Sequence, residues 1–493
     1  MNAIDSDIRI AAEEYSEKEF SSHHVFTTSD ETIIRRLIAA GPVLLRGPRG
    51  SGKSAYMLAA HKKIRSSEAS IFSVYISLRY FPLLTANADE YLTILIPFVA
   101  EQIQKELQEH QIKNDRNFKA ISTLTELRSS LDDIGVQEQK RIVLLFDDVA
   151  HIGREVSLSG FFGFFRTLSS SVISCKAAIY PGVTKFGARF DFYNDATVVE
   201  AQRDERSPDF QEFFDTLLKN HHPNIYDRAD SKLLPQLGLL LGRTVLGNVR
   251  AFNWLCRHLS TYQLISLQSF GDSLKSYASS SLYPALDELE TKLGSYASLL
   301  NVARDLAEII SKDCGRRKVN SMIVHRDHVQ RMGKVFEILE YTGFIAKREA
   351  SRSLLRSGTG RGPRYVLSLG PLFENVPGST MSYDLAHSMT RVNVEKDELV
   401  EYEPLSEIKN LIYPEPTAET LLDVLNLSID KLKTSNAIPY GLTDLMINAL
   451  QLGGYKTVED VVRVSVETLD ELPQIGEAKA RRIRNAVEQA IWM

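Results

Sequence analysis

Residues 42–54 read Pro42-Val43-Leu44-Leu45-Arg46-Gly47-Pro48-Arg49-Gly50-Ser51-Gly52-Lys53-Ser54. The last eight match G-x-x-x-x-G-K-[ST] in full. The apolar run before them reads as a buried strand, and AYMLAAHKKI at 55–64 reads as a helix. Strand, glycine-rich turn and helix is the context this motif needs. The glycines let successive backbone N–H groups turn toward an anion, and the helix start adds its positive dipole. Gly47, Pro48, Arg49, Gly50, Ser51, Gly52, Lys53, Ser54 and Ala55 are therefore the candidate cradle for the phosphates of a nucleotide. Lys53 would reach the β- and γ-phosphates, and the Ser54 hydroxyl would hold Mg²⁺.

A partner for this loop should stand at the end of another buried strand. Arg141-Ile142-Val143-Leu144-Leu145-Phe146-Asp147-Asp148 supplies it. Two acids after such a run are costly unless they lie at the exposed carboxyl end of a strand in a parallel sheet. There Asp147 would position Mg²⁺ through water, and Asp148 would polarise an attacking water. Asp148 is one methylene shorter than the glutamate common in efficient ATPases, so slow hydrolysis is expected. The alternative is a pair of acids capping the next helix.

Together the two motifs make residues 25–375 resemble the AAA+ and STAND branches of P-loop ATPases, more narrowly the origin-recognition-type (ORC/CDC6-like) ATPases. The resemblance implies an α/β fold: a P-loop NTPase parallel sheet with a helical lid, followed by a winged-helix domain and a small all-α helix-hairpin-helix domain. It also implies ATP and Mg²⁺ as ligands and assembly into homo-oligomers. SLSGFFGFFRTLSSSV (157–172) reads as a helix, and Cys175–Tyr180 as a further strand. In the family that strand ends in a polar residue sensing the γ-phosphate; Tyr180 and Thr184 stand nearby. Arg189, ahead of the strand-like Ala196–Glu200, is where the family places the arginine finger that reaches a neighbouring subunit. Gly247-Asn248-Val249-Arg250 resembles the family's second sensor. Asn248 would cap the helix that follows, and Arg250 would point at the γ-phosphate. Residues 206–280 read as wholly helical.

The net charge of −5 conceals an asymmetry. Residues 301–370 hold fourteen Lys/Arg and seven Asp/Glu, or +7, leaving −12 for the rest. A basic module on an acidic chain points toward nucleic acid. A long helix is expected over 285–315, then two short helices, then a hairpin turning at Ser357–Pro363. This is a winged-helix pattern, which in the resembling ATPases binds duplex DNA. Arg326 and Arg331 lie on the expected recognition helix, and Arg352, Arg356, Arg361 and Arg364 on or beside the wing. The same module also serves elsewhere as a protein dock.

Residues 469–483, LDELPQIGEAKARRI, resemble a helix-hairpin-helix motif, and 445–462 a degenerate first copy. Gly476 would offer a backbone N–H to a DNA phosphate, with Lys479 and Arg482 on the next helix. Gln474 stands where the motif has its first glycine.

The expected organisation is an N-terminal segment at 1–25, an ATPase core at 26–205, a lid at 206–284, a winged helix at 285–377, a linker at 378–425 and a helix-hairpin-helix domain at 426–493. The chain's 493 residues, 43% apolar and 25% charged, are too many for one core and too apolar for general disorder. No apolar run is long enough to span a bilayer, the first twenty residues carry no secretory signal core, and the three scattered cysteines fit no disulfide framework or zinc site. A cytoplasmic protein is expected. Two functions follow. One is an ATP-switched AAA+-like ATPase that binds a DNA duplex through both C-terminal modules. The other is a STAND-like signalling ATPase that oligomerises and recruits a protein partner through its C-terminal helices, with antiviral defence as one setting.

Overall fold

The computed structural model describes residues 19–20, 23–79, 88–110, 112, 118–149, 155–182, 184, 186, 190–290, 293, 296–354, 360–376, 380–390, 399–414, 425, 427–434, 441–462 and 464–492. Two compact units share the chain. The first is residues 1–227, 236–242 and 247–257; the second is residues 228–235, 243–246 and 258–493.

The first unit is built on β1 (Val43–Arg46), β2 (Ile71–Ser77), β3 (Arg141–Asp147), β4 (Ile173–Ile179) and β5 (Thr197–Glu200), in the order β2-β3-β4-β1-β5 and parallel throughout. β3 and β4 are apolar almost without break because both of their faces are covered. One face packs against α3 (Ala88–Glu109), α4 (Leu124–Gln137) and α5 (Glu155–Leu168) through a core that includes Phe146, Phe161, Phe164 and Phe165. The other packs against α1 (Thr28–Ile38) and α2 (Lys53–Ser67) through Leu37, Leu45, Tyr56, Met57 and Leu145. Thr27 and Asp30 close a capping box at the start of α1. Asp30 is buried and also accepts from the Tyr56 hydroxyl and from Arg203 Nη2 at 3.0 Å, which ties both helices to the chain beyond β5.

Lys176 departs from the apolar pattern of β4. Its side chain is fully buried, and Nζ donates to the Ala39 carbonyl at 2.7 Å and the Gly41 carbonyl at 2.5 Å. Burial pushes its pKa down from 10.5 to about 7. Between those values the unfolded chain keeps a proton that the native protein has lost, so wild-type stability should rise with pH across that window. Urea melts of wild type and Lys176→Met at pH 6, 7.5 and 9 should show wild type gaining on the variant as pH climbs. A gap independent of pH would contradict the assignment.

Beyond β5, α6 (Phe210–His221), α7 (Pro223–Arg228), α8 (Leu234–Thr244), α9 (Val249–Leu259) and α10 (Leu267–Tyr277) bear out the helical reading of 206–280. The long helix expected over 285–315 is instead two, α11 (Tyr283–Asp287) and α12 (Leu299–Arg317). The stretch between them carries Gly294, a weak helix former.

In the second unit α12 leads into β6 (Ser321–Val324), α13 (Arg326–Thr342), β7 (Ile345–Ser353) and β8 (Arg361–Leu367), with β7 and β8 an antiparallel hairpin. α13 is kinked at Met332, where the sequence reading has two short helices. α14 (Leu369–Glu374) and α15 (Tyr383–Thr390) follow. The stretch read as a linker contributes a strand, β9 (Val400–Tyr402), which pairs parallel to β6 and completes the order β7-β8-β6-β9. Val400 and Tyr402 alternate inward and are buried, a short period-two signal within a proline- and glutamate-rich segment. The chain ends in α16 (Asp444–Leu452), α17 (Val458–Val462), α18 (Val466–Asp470) and α19 (Glu477–Trp492). Among the described residues no helix is long and apolar enough to cross a membrane, and all three cysteines are free and buried.

Candidate functional site

β1 ends beside β4, and the chain leaves it through residues 47–52 into α2. The Gly47 N–H donates to the Ile179 carbonyl at 3.3 Å, which anchors the turn to the sheet. Gly50 and Gly52 have φ of +88° and +94°, values that side chains with a Cβ rarely adopt. A Cβ on Gly50 would also lie 2.6 Å from Asn248 Oδ1 and 2.7 Å from Arg250 Cβ. Gly50 is thus required both by the turn and by what packs on it, and Gly52 by the turn.

Lys53, the first residue of α2, is buried and turns back over the loop. Its Nζ donates to the Gly47 carbonyl at 2.8 Å and the Pro48 carbonyl at 2.9 Å and stands 3.8 Å from the Tyr180 ring centroid. Burial pushes its pKa down to about 7; Asp147 and Asp148 oppose the shift, and the Arg250 and Arg49 cations add to it. Three cations therefore crowd one loop, and an anion entering it would relieve their repulsion. Among the described residues the buried Ser51 hydroxyl has no hydrogen-bond partner, a second sign that the cradle suits a ligand rich in acceptors. This is the loop geometry of a P-loop, at the carboxyl end of a parallel sheet. The core is a P-loop NTPase fold.

The two acids lie where the strand reading expects them. Asp147 closes β3 and is buried; its carboxylate accepts from the Tyr75 hydroxyl at 2.7 Å and from the Asp148 N–H at 2.9 Å. Asp148 has φ of +53°, and its Oδ1 accepts from the Tyr180 hydroxyl at 3.0 Å. Of the two sensor candidates, Thr184 is engaged with Tyr180's own backbone, accepting from its N–H and donating to its carbonyl. Of the two, Tyr180 reaches Asp148 and Lys53. Tyr75 and the Lys53–Tyr180 contact lie outside the motif reading; the only hint was an aromatic residue near the end of each apolar strand.

Asn248 caps α9, its Oδ1 accepting from the Ala251 N–H at 3.1 Å, while its Nδ2 donates to the Arg49 carbonyl at 2.7 Å. The same side chain therefore starts the helix and holds it on the phosphate loop, with Arg250 in the first turn. Among the described residues no cluster of three or more His, Cys, Asp or Glu could cage a metal. Mg²⁺, which keeps most of its waters and leans on phosphates, would need few protein ligands, and Ser54 and Asp147 are the sequence's candidates for them. Arg189 and Arg356 lie outside the described residues.

The remaining basic candidates fall in the second unit. Arg364 is a correction to the wing reading: it is buried, with Nε on Glu349 Oε1 at 3.1 Å and Nη1 on Ser321 Oγ at 2.8 Å, so it braces the hairpin from within. Arg331 likewise faces its own chain, donating to the Lys409 and Leu411 carbonyls at 2.7 and 2.5 Å. Arg352 pairs with Glu349 at 3.5 Å. Arg361 is exposed and lies along the hairpin on Ser351 and Ser353. α19 packs on α13, which brings Arg482 beside Arg326 and Asp327. Arg482 also donates to the Gly441 carbonyl at 2.8 Å. Gly476 is exposed, and Lys479 Nζ donates to the Gln474 carbonyl at 2.7 Å. Gln474 has φ of +62°, a left-handed conformation that residues other than glycine rarely adopt.

No protein-family model and no curated protein sequence matches the chain. Among solved structures it is similar to the Walker-type ATPase PABY2304 of Pyrococcus abyssi, at 13% identity over 74% of this chain and 97% of that one, with a TM-score of 0.45. It is similar to the ORC1 protein of Aeropyrum pernix in complex with DNA, at 14% identity over 71% and 93%, TM-score 0.34. It is also similar to AMPPCP-bound DnaA of Aquifex aeolicus, at 14% identity over 68% and 87%, TM-score 0.30.

Proposed function

We propose that this chain is an ATP-binding and slowly hydrolysing AAA+-like switch that binds duplex DNA through its winged-helix-like and helix-hairpin-helix-like modules. The observation that carries the nucleotide part is Lys53, buried over a glycine-rich loop and flanked by Asp147 and Asp148. Mg²⁺ would neutralise phosphate charge as it develops. Ser54 and Asp147 would hold it, Lys53 and Arg250 would hold the β- and γ-phosphates, and Asp148 would accept the proton of the attacking water. Arg189 is the proposed link to a neighbouring subunit.

For DNA the candidates are the exposed Arg326 and Arg361, together with Arg352, Gly476, Lys479 and Arg482, on a winged-helix-like module and a helix-hairpin-helix-like end. The test is the anisotropy of a fluorescent duplex at two salt concentrations, with ATP analogue, ADP or no nucleotide. Contacts to six to ten phosphates should weaken about 10³–10⁵-fold between ~50 and ~200 mM salt. Absence of binding in every state would end the DNA reading.

One observation favours a second reading, a signalling ATPase with a protein partner. The expected recognition helix α13 is covered by its own chain: α19 packs on it, and His328 and Arg331 are bonded to carbonyls of residues 403–411. A helix so covered offers little to a major groove.

A further inference from the structure

We infer that the two C-terminal modules present one joint site for the phosphate backbone of a DNA duplex, centred on the first turn of α13; the inference rests on the DNA reading above. Three elements of the second unit bring a cation to that turn. Arg326, half-exposed, is the first residue of α13. β8 crosses directly beside it: a Cβ on Gly362 would lie 1.7 Å from the Val324 carbonyl oxygen and 3.2 Å from the Arg326 backbone nitrogen. Only glycine permits that approach, and it sets the exposed Arg361 next to the helix start. α19 packs on α13 and supplies Arg482, whose pKa is lowered by burial and then by the Arg326 charge, while Asp327 raises it.

The rest of α13 is turned toward its own chain. His328 Nε2 donates to the Glu403 carbonyl at 2.7 Å, Arg331 donates to the Lys409 and Leu411 carbonyls, and α19 lies against the helix as well. A major groove is read by the open side of a helix, and this helix keeps little of that side open beyond its first turn. What it presents there is charge. Arg482 and Arg326 repel each other, so an anion beside them relieves a cost the folded chain already bears. The positive end of the α13 dipole lies at the same spot. Asp327 stands among the cations, with Oδ1 3.9 Å from Arg326 Nε, and tempers them. The partner that fits is a run of phosphates on one duplex, gripped from α13, the wing and α19 together and held without regard to base sequence.

The test uses the full chain, in the nucleotide state that binds most tightly, and a labelled duplex of about 12 base pairs, little more than one helical turn. Anisotropy is followed between ~50 and ~200 mM salt for wild type, Arg326→Gln, Arg361→Gln, Arg482→Gln, the Arg326→Gln/Arg482→Gln pair and Arg482→Lys, with melting temperature reporting the fold. Each glutamine should flatten the slope of log affinity against log salt by about 0.9, the worth of one phosphate contact, and the pair by about 1.8. Arg482→Lys keeps the charge and should keep the wild-type slope. AT-rich and GC-rich duplexes should bind within about fivefold of each other, less than one misread base pair costs. A wild-type slope in any of the three single glutamine variants overturns the joint site and leaves the DNA reading standing. So does a slope that Arg482→Lys loses as fully as Arg482→Gln, which would make that arginine a brace rather than a phosphate contact. A sequence preference above about fivefold overturns it too, because bases would then be read. If wild type binds no duplex in any nucleotide state, the DNA reading itself fails and the inference falls with it.

Discussion

Lys53→Ala should lose ATP affinity by a few hundred- to a few thousandfold, with turnover falling below detection. The lysine is buried, and two of its donors are already on loop carbonyls, so its remaining contact is aimed and desolvated. Removing one partner of such a buried ionic contact costs about 3–5 kcal/mol. The loop itself should persist, because its turn depends on Gly50 and Gly52 rather than on the lysine. The variant should therefore keep a cooperative melt while failing to enhance the fluorescence of a labelled ATP. An affinity equal to that of wild type would remove residues 47–54 from the nucleotide site.

Asp148→Asn should bind ATP as wild type does and hydrolyse it about 10²–10⁴-fold more slowly, the usual worth of a positioned general base. The carboxamide is nearly the same shape, and its oxygen can still accept from the Tyr180 hydroxyl, so the site's geometry should survive. What is lost is the ability to take a proton from water. Single-turnover phosphate release at saturating ATP separates this from a binding defect. A rate within a few fold of wild type would leave Asp148 as a structural cap and place the base elsewhere.

The proposed nucleotide site is legible in the sequence because its physics is local. Residues 42–54 carry their own strand, turn and helix start, and the two acids closing 141–148 are least costly at an exposed strand terminus. The Asn248 cap was equally readable, since capping spans three residues. What the sequence does not display is the lateral contact. Tyr180 reaches Asp148 from a neighbouring strand, and Tyr75 reaches Asp147 from the strand on the other side. The family resemblance names Tyr180 as a sensor candidate, but nothing in one-dimensional spacing shows its bond to Asp148 or sets Tyr75 apart from a core residue. The basic module shows the converse failure. Arg364 and Arg331 count as positive charge in a composition window, yet Glu349 and the carbonyls of Lys409 and Leu411 spend that charge inside the unit. A three-residue strand such as Val400–Tyr402 is likewise too short to stand out from its surroundings.

The claim on which the rest depends is that the loop at 47–54 holds a triphosphate with Mg²⁺. Isothermal titration of ATP into the wild-type protein, with Mg²⁺ and then with EDTA, addresses it directly. Saturable binding to one site per chain, weakened when the metal is withdrawn, is the predicted result. No heat of binding under either condition would contradict the account.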